Sequence, residues 1–303
     1  MIAGILLKQI IIMFLLMGIG YVLYRMKYIS EQGVKDLGAV LLRLVIPCVI
    51  IQSYMVEFSV EKLQELGISA ALALISLVIA MLISYVVYGT RHRIENFAAA
   101  FCNAGFIGIP LVQAVFGAQA VFYIAAYITL LNLFQWTYGA LMMTGDKSVI
   151  QVKKIVLNPV FIAVLIGLVL FVTQLPVPEV ISKTIGYMAN LNSPLAMMIL
   201  GVYLAKISIR EMFTDKKVYL CCLFRLVIIP AVTFVVLKCI PNMNAEVVMI
   251  TLIAACTPVG ANIAIFAQQF QKDYALSVKT VCLSTILSIV TVPVFFSVVQ
   301  KFL

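Results

Sequence analysis

Acidic and histidine side chains are scarce in this sequence, and that scarcity narrows what the chain can do. There are twelve Asp and Glu and one histidine, His92, in 303 residues. The acids (Glu31, Asp36, Glu57, Glu61, Glu65, Glu95, Asp146, Glu179, Glu211, Asp215, Glu246 and Asp273) all fall in polar stretches or at the ends of apolar ones. There is no HExxH, no pair of aspartates within an apolar segment and no Ser–His pairing, so the chain is not read as an enzyme. CxxC is absent too, and the seven cysteines lie almost entirely inside apolar segments. A disulfide framework or a zinc site has no support, and no metal or cofactor is expected. Long polar stretches are also missing, which excludes a soluble domain.

What is present is apolar. Hydrophobic residues make up 64% of the chain, charged residues 11%, and the mean hydropathy is +1.15. Soluble domains run roughly 45–50% apolar and about 25% charged. Ten apolar segments are predicted, at about 5–24, 36–56, 68–89, 96–116, 119–142, 158–175, 184–206, 218–240, 246–267 and 277–300. Each is long enough to cross roughly 30 Å of hydrocarbon as a helix. The chain is therefore expected to be an all-α polytopic membrane protein in the lipid bilayer. Its first segment is expected to be retained, because Arg25 and Lys27 follow it and no small-residue cleavage site is apparent.

The net charge of +9 does not point to nucleic acid, because Lys and Arg are sorted by side. One set of alternating loops carries Arg25, Lys27, Lys35, Arg91, Arg93, Lys147, Lys153, Lys154, Lys206, Arg210, Lys216, Lys217, Lys272 and Lys279. The other carries Lys62, Lys183, Lys238 and Lys301. Fourteen against four places both termini outside the plasma membrane, since cytoplasmic loops collect positive charge.

Five segments precede residue 145 and five follow it, which suggests an internal repeat of residues 1–145 on residues 146–303. Pro47 in the second segment answers Pro194 in the seventh. Asn103 answers Thr257, and Phe116 answers Phe270, both at an offset of 154. An odd number of helices per half sets the halves upside down relative to each other. Such a 5+5 inverted repeat is a transporter architecture with a site near the midplane.

The fourth and ninth segments carry the chemistry. "FCNAGFIGIPL" (Phe101–Leu111) and "ACTPVGANIAIFAQ" (Ala255–Gln268) hold helix-breaking residues in the middle of apolar stretches. Proline removes an amide donor and clashes with the carbonyl four residues back, and glycine permits non-helical backbone. In hydrocarbon such breaks survive only buried in protein or lining a wet cavity. A half-helix that starts mid-membrane offers free amides and a positive dipole end, which suits an anion. The two breaks are expected to face each other with an anion between them. Asn103, Gly105, Gly108, Pro110, Thr257, Pro258, Gly260 and Asn262 are therefore candidate substrate residues, joined by Asn132 and Gln135 one turn apart in the fifth segment. Gln52, in the outer half of the second segment, is a candidate for the access path. Pro230 and Pro293 read as kinks. Arg43 and Arg225 are in-segment cations, either functional or snorkelling to the cytoplasmic end. With no carboxylate at a midplane, coupling through a central acid is not expected, although carbonyl, Asn and Thr oxygens could hold Na⁺.

Several of these motifs together resemble a known family. "GIGYVLYRMKYIS", "VIPCVII", "NAGFIGIPL" with the following Phe116-Gly117, "SPLAMMILGVYLA", "TPVGAN" and "LSTILSIVTVP" are similar to the auxin efflux carrier family of membrane transporters, end to end. That family includes plant auxin exporters and bacterial carriers labelled malate or malonate permeases. The resemblance implies ten helices with the fourth and ninth interrupted and crossing, the fold of sodium/bile-acid-type carriers. It implies a scaffold of helices 1, 2, 6 and 7 that can dimerise, and a transport domain of helices 3–5 and 8–10 that moves as an elevator. By motif match it places Asn103, Pro110, Pro258 and Asn132 at the substrate site. The implied function is transport of a small organic anion, auxin-like or a dicarboxylate, by potential-driven efflux. A cation-coupled dicarboxylate importer and a ligand-sensing receptor remain open alternatives.

Overall fold

The computed structural model describes residues 2–150, 156–241 and 243–302. Lys153 and Lys154, counted above among the cytoplasmic charges, lie outside the described residues. The described residues form helices joined by turns and short extended stretches, with one isolated β-bridge, between Cys102 and Val259.

In chain order, α1 is Ile2–Arg25 and α2 runs through residues 31–53. Val60–Tyr88 forms α3, Arg93–Ala100 forms α4, Ala104–Phe116 forms α5 and Ala118–Thr144 forms α6. The second half holds α7 (Pro159–Thr173), α8 (Glu179–Lys206) and the short α9 (Ile209–Thr214). It ends with α10 (Lys216–Lys238), α11 (Ala245–Cys256), α12 (Asn262–Gln269) and α13 (Tyr274–Val299). Among the described residues six helices are long and apolar enough to span a bilayer: α1, α3, α6, α8, α10 and α13. Two of the shorter apolar helices, α5 and α11, are halves of the interrupted fourth and ninth segments. Pro159–Thr173 is the third, at 15 residues.

Local signals set the helix ends. Ser30, Ser59, Asn158, Asn244 and Asp273 each accept a backbone N–H in the first turn of the helix they precede. Pro159 follows its cap at the first helical position, where a missing amide costs nothing.

Four π turns interrupt the helices: Leu41–Val45 in α2, Ala104–Gly108 in α5, Gln135–Gly139 in α6 and Phe224–Ile228 in α10. Three of them end immediately before an Ile-Pro pair, at Pro47, Pro110 and Pro230. The reason is steric. A proline cannot donate to, and collides with, the carbonyl four residues earlier, so the preceding turn widens to i→i−5 bonding. The sequence expectation of a plain kink at Pro230 is thus refined: the helix stays continuous and bulges.

Close packing joins α1 to α8. A Cβ on Gly20 would stand 2.2 Å from the Met198 carbonyl oxygen, and one on Gly201 would stand 2.0 Å from that of Met17. Both obstacles are backbone, so these two helices touch only because glycine lines the contact on both sides.

Candidate functional site

The site begins where two helices stop. Phe101 leaves α4 in extended backbone at φ −115°, and Thr257 leaves α11 at φ −64°, ψ 150°. The two extended stretches run antiparallel and bind each other. The Asn103 amide donates to the Pro258 carbonyl at 2.8 Å, and the Gly260 amide donates to the Phe101 carbonyl at 3.0 Å. Ser284 of α13 accepts the Val259 amide at 3.1 Å. Two amides and two carbonyls freed by the breaks are therefore satisfied by the opposite break, as a dry interior favours. This corrects the expected arrangement. The breaks do face each other, but their peptide groups pair directly, and the room for a ligand lies to one side.

Four helix ends meet at this crossing, sorted by sign. The C-terminal ends of α4 and α11 converge on Arg225, which is fully buried. Its Nη1 donates to the carbonyls of Ala99 (3.1 Å) and Ala100 (3.4 Å), and its Nη2 donates to that of Ala255. Arg225 therefore does not snorkel. A fixed cation sits where two helix dipoles end negative, and its donors satisfy carbonyls that have lost their helical partners. On the other side α5 and α12 begin. The backbone amides of Gly105, Ala261 and Asn262 find no acceptor among the described residues.

Side-chain amides surround these helix starts. The Asn103 Oδ1 caps α5 by accepting from Phe106 N at 3.3 Å, while its Nδ2 is buried without a partner. The Asn262 Nδ2 donates to Gln135 Oε1 at 2.9 Å, and the Gln135 Nε2 is likewise buried and unpartnered. Asn132 donates to the Ile128 carbonyl at 2.8 Å, within its own helix. An unpartnered buried N–H group costs about 1–3 kcal/mol. Two of them lie close to the starts of α5 and α12.

A small cavity of about 30 Å³ lies against this group, lined by Asn103, Gly105, Asn132, Gly260 and Asn262 with apolar Leu42, Ile46 and Phe106. It shares Leu42, Asn132, Val160 and Asn262 with a cavity of about 360 Å³ that also meets Arg43, Trp136, Asn158 and Gln269. That one shares Leu42, Arg43 and Ile265 with a vestibule of about 730 Å³ reaching Arg25, Lys35 and Lys206. The three cavities adjoin one another through these shared residues, and the largest is lined by the basic Arg25, Lys35, Arg43 and Lys206.

Comparison with known proteins fits a chain of this construction. A family model described as "Membrane transport protein" matches residues 5–296. The chain belongs to the membrane transport protein family. The resemblance carried by the broken-helix motifs thus holds at the family level, and this family member is a multi-pass membrane protein. It is 25% identical over 288 residues to an "Uncharacterized transporter" of Methanothermobacter thermautotrophicus, covering 91% of this chain and 93% of the relative. It is 22% identical over 207 residues to a "Putative malonate transporter" of Rhizobium meliloti, covering 65% of this chain and 64% of that protein.

Within this membrane transport protein the candidate residues divide. Asn103, Gly105, Asn132, Gly260 and Asn262 line the small cavity, and Gln135 stands behind Asn262. Gly108, Pro110, Thr257 and Pro258 are buried supports. Gly108 packs on Ile124 and Thr257, Thr257 Oγ1 donates to the Ala254 carbonyl at 2.7 Å, and Pro258 lends its carbonyl to Asn103. Pro110 follows the π turn of α5. Gln52 is exposed beside Gly186 of α8 and lines none of the three cavities. Asn192 Nδ2 of α8 donates to the Gly105 carbonyl at 3.4 Å. Glu95, expected at a segment end, is buried there and pairs with His92 Nδ1 at 3.4 Å.

Sequence reasoning passed over the joint role of Arg225 and the reach of Arg43. The available signal was the Ile-Pro pair that follows each. Both arginines sit in π turns, which turn a residue out of the regular helical face.

Proposed function

We propose that this protein is a secondary carrier that moves a small organic carboxylate across the plasma membrane by alternating access. One observation carries the reading: the buried, unpartnered side-chain amide of Asn103 lines a small cavity beside two helix starts with open amides, and a second, on Gln135, stands behind Asn262 of that cavity. A carboxylate supplies the acceptors those donors lack. The relative named as a malonate transporter supports a small dicarboxylate as the cargo.

In this reading the chain makes ten crossings as a 5+5 inverted repeat, with both termini outside. Helices α1, α2, α7 and α8 are a scaffold that can pair with a second copy, and α3–α6 with α10–α13 form the moving domain. The path runs between these two groups. Tyr24, Arg43 and Tyr203 line it from one, and Ile265 and Tyr274 from the other. It opens on the basic side, so the molecule stands open to the cytoplasm. Arg225 supplies a permanent cation at the carbonyl ends of the crossing, a place where a coupled carrier would need its ion. Transport is accordingly independent of Na⁺ and driven by potential, at about 2.3 kcal/mol per unit charge per 100 mV. With an inside-negative membrane, anions leave.

The test is flux in proteoliposomes, with labelled mono- and dicarboxylates, a clamped potential, and Na⁺ or pH gradients added or omitted. Malonate flux should follow the potential and ignore Na⁺. Flux that requires Na⁺ and ignores the potential overturns the efflux reading in favour of a coupled importer. Tight binding with no flux would favour a receptor.

A second expectation concerns Asn103→Ala. It removes an amide N–H with no hydrogen-bond partner among the described residues and a cap worth about 1 kcal/mol, so the protein should still purify intact. A lost hydrogen bond to a charged ligand is worth about 1.5–3 kcal/mol, and flux at low substrate should fall about tenfold or more. Wild-type flux in this variant would remove Asn103 from the site.

A further inference from the structure

Arg43 is exposed, in the π turn of α2, and it lines both of the larger cavities. In the 360 Å³ cavity it is the only charged residue among the described ones. It enters no ion pair among the described residues, whereas the neighbouring Lys206 is held by Glu31 at 3.5 Å. The contrast with Arg225 is instructive. Each arginine precedes an Ile-Pro pair in a π turn, but one spends its donors on helix carbonyls and the other keeps them free. The same cavity is lined by Asn132 of α6 and Asn262 at the start of α12.

A ligand that fills the space between these groups meets neutral donors at one end and a guanidinium at the other. Neutral amides can hold one carboxylate without a buried permanent charge. A guanidinium presents a planar fork that matches a second carboxylate and, in a confined cavity, gains from neutralisation. We propose that Arg43 binds the second carboxylate of a dicarboxylate and so selects dianions over monoanions. This rests on the carrier reading above. In that reading α2 belongs to the stationary scaffold and the amides move, so Arg43 meets the substrate only when the path is open to the cytoplasm. Its contribution is therefore to capture, and it enters KM more than kcat.

The discriminating pair of substrates is malonate and its monomethyl ester, alike in shape and different by one charge. In proteoliposomes loaded to face the cytoplasmic side, wild-type protein should prefer malonate. R43Q and R43M should each raise the malonate KM about tenfold or more, and leave the half-ester KM and both kcat values nearly unchanged. Arg43 has no partner among the described residues, so these variants should fold, and half-ester flux reports that they have. An unchanged malonate preference in either variant, or an equal loss for both substrates, overturns the assignment while leaving the carrier intact. If the wild-type protein moves neither substrate, the carrier reading fails first and the assignment with it.

Discussion

Arg225→Met is expected to destabilise the protein by several kcal/mol, at about 1–3 kcal/mol for each buried acceptor left without a donor. Replacing a buried ion pair by hydrophobic groups is often neutral, because both charges leave together. Here the partners are the carbonyls of Ala99, Ala100 and Ala255, which belong to the backbone and remain after the substitution. Each is then an acceptor without a donor at the buried end of a helix, with two negative dipole ends left facing each other. Thermal unfolding of the purified protein, with and without the substitution, measures the loss, and transport should vanish with it. Arg225→Lys keeps one charge but not the fork, so it should recover only part of the stability. A methionine variant with wild-type melting and flux would show that the crossing holds without its cation.

Gly260→Val is the second large effect. An added Cβ would lie 2.8 Å from the Cys102 carbonyl oxygen and 3.3 Å from its carbonyl carbon. Neither atom can swing aside. The Gly260 amide is bound to Phe101, and the neighbouring Asn103 amide is bound to Pro258, so relief requires the two breaks to part. Transport should be lost and the melting temperature should fall by several degrees or more, since each kcal/mol shifts it by roughly 2–4 °C in a chain of about this size. Gly18→Ala is the matching control, because nothing stands within 4 Å of a Cβ there. Gly105→Ala makes the comparison sharper. It lies in the same pair of motifs, yet its nearest obstacle is a flexible Ile46 methyl at 3.7 Å, so the fold should survive. Equal behaviour of the Gly260 and Gly105 variants would mean that the crossing is not as tightly closed as its hydrogen bonds imply.

These two residues also show how far sequence reasoning reaches. Gly260 was legible, because a glycine and a proline in mid-segment cannot continue a helix and their counterpart appears in the other half. What the break does next was not. Whether two broken stretches hold an ion between them or bind each other depends on an ångström of approach, and no residue spacing reports that distance. Arg225 was visible as an in-segment cation, but its direction was hidden. Helices such as α10 are apolar on nearly every side, so their sequence carries no mark of which face meets protein and which meets lipid. The same blindness bears on Gln52, expected on an access path: it lines none of the three cavities, while Arg43, on the same helix, lines the two larger ones. The side-chain amides fared better. Asn103, Asn132 and Asn262 stood out because a polar group in hydrocarbon needs a reason, and the structure gathers all three around one cavity.

The pairing of Asn103 with Pro258 has a bearing on how the protein is made. The two residues belong to opposite halves of the chain, so the fourth segment enters the bilayer with a broken helix whose amide and carbonyl ends have no protein partner. Its partner stretch, together with Arg225 and Ser284, arrives only with the second half. Exposed backbone in hydrocarbon costs several kcal/mol per group, which makes the isolated first half a poorly settled intermediate. Because each break takes its backbone partners from the other half of the chain, neither half is a self-sufficient folding unit. The crossing can close only when residues from both halves are present.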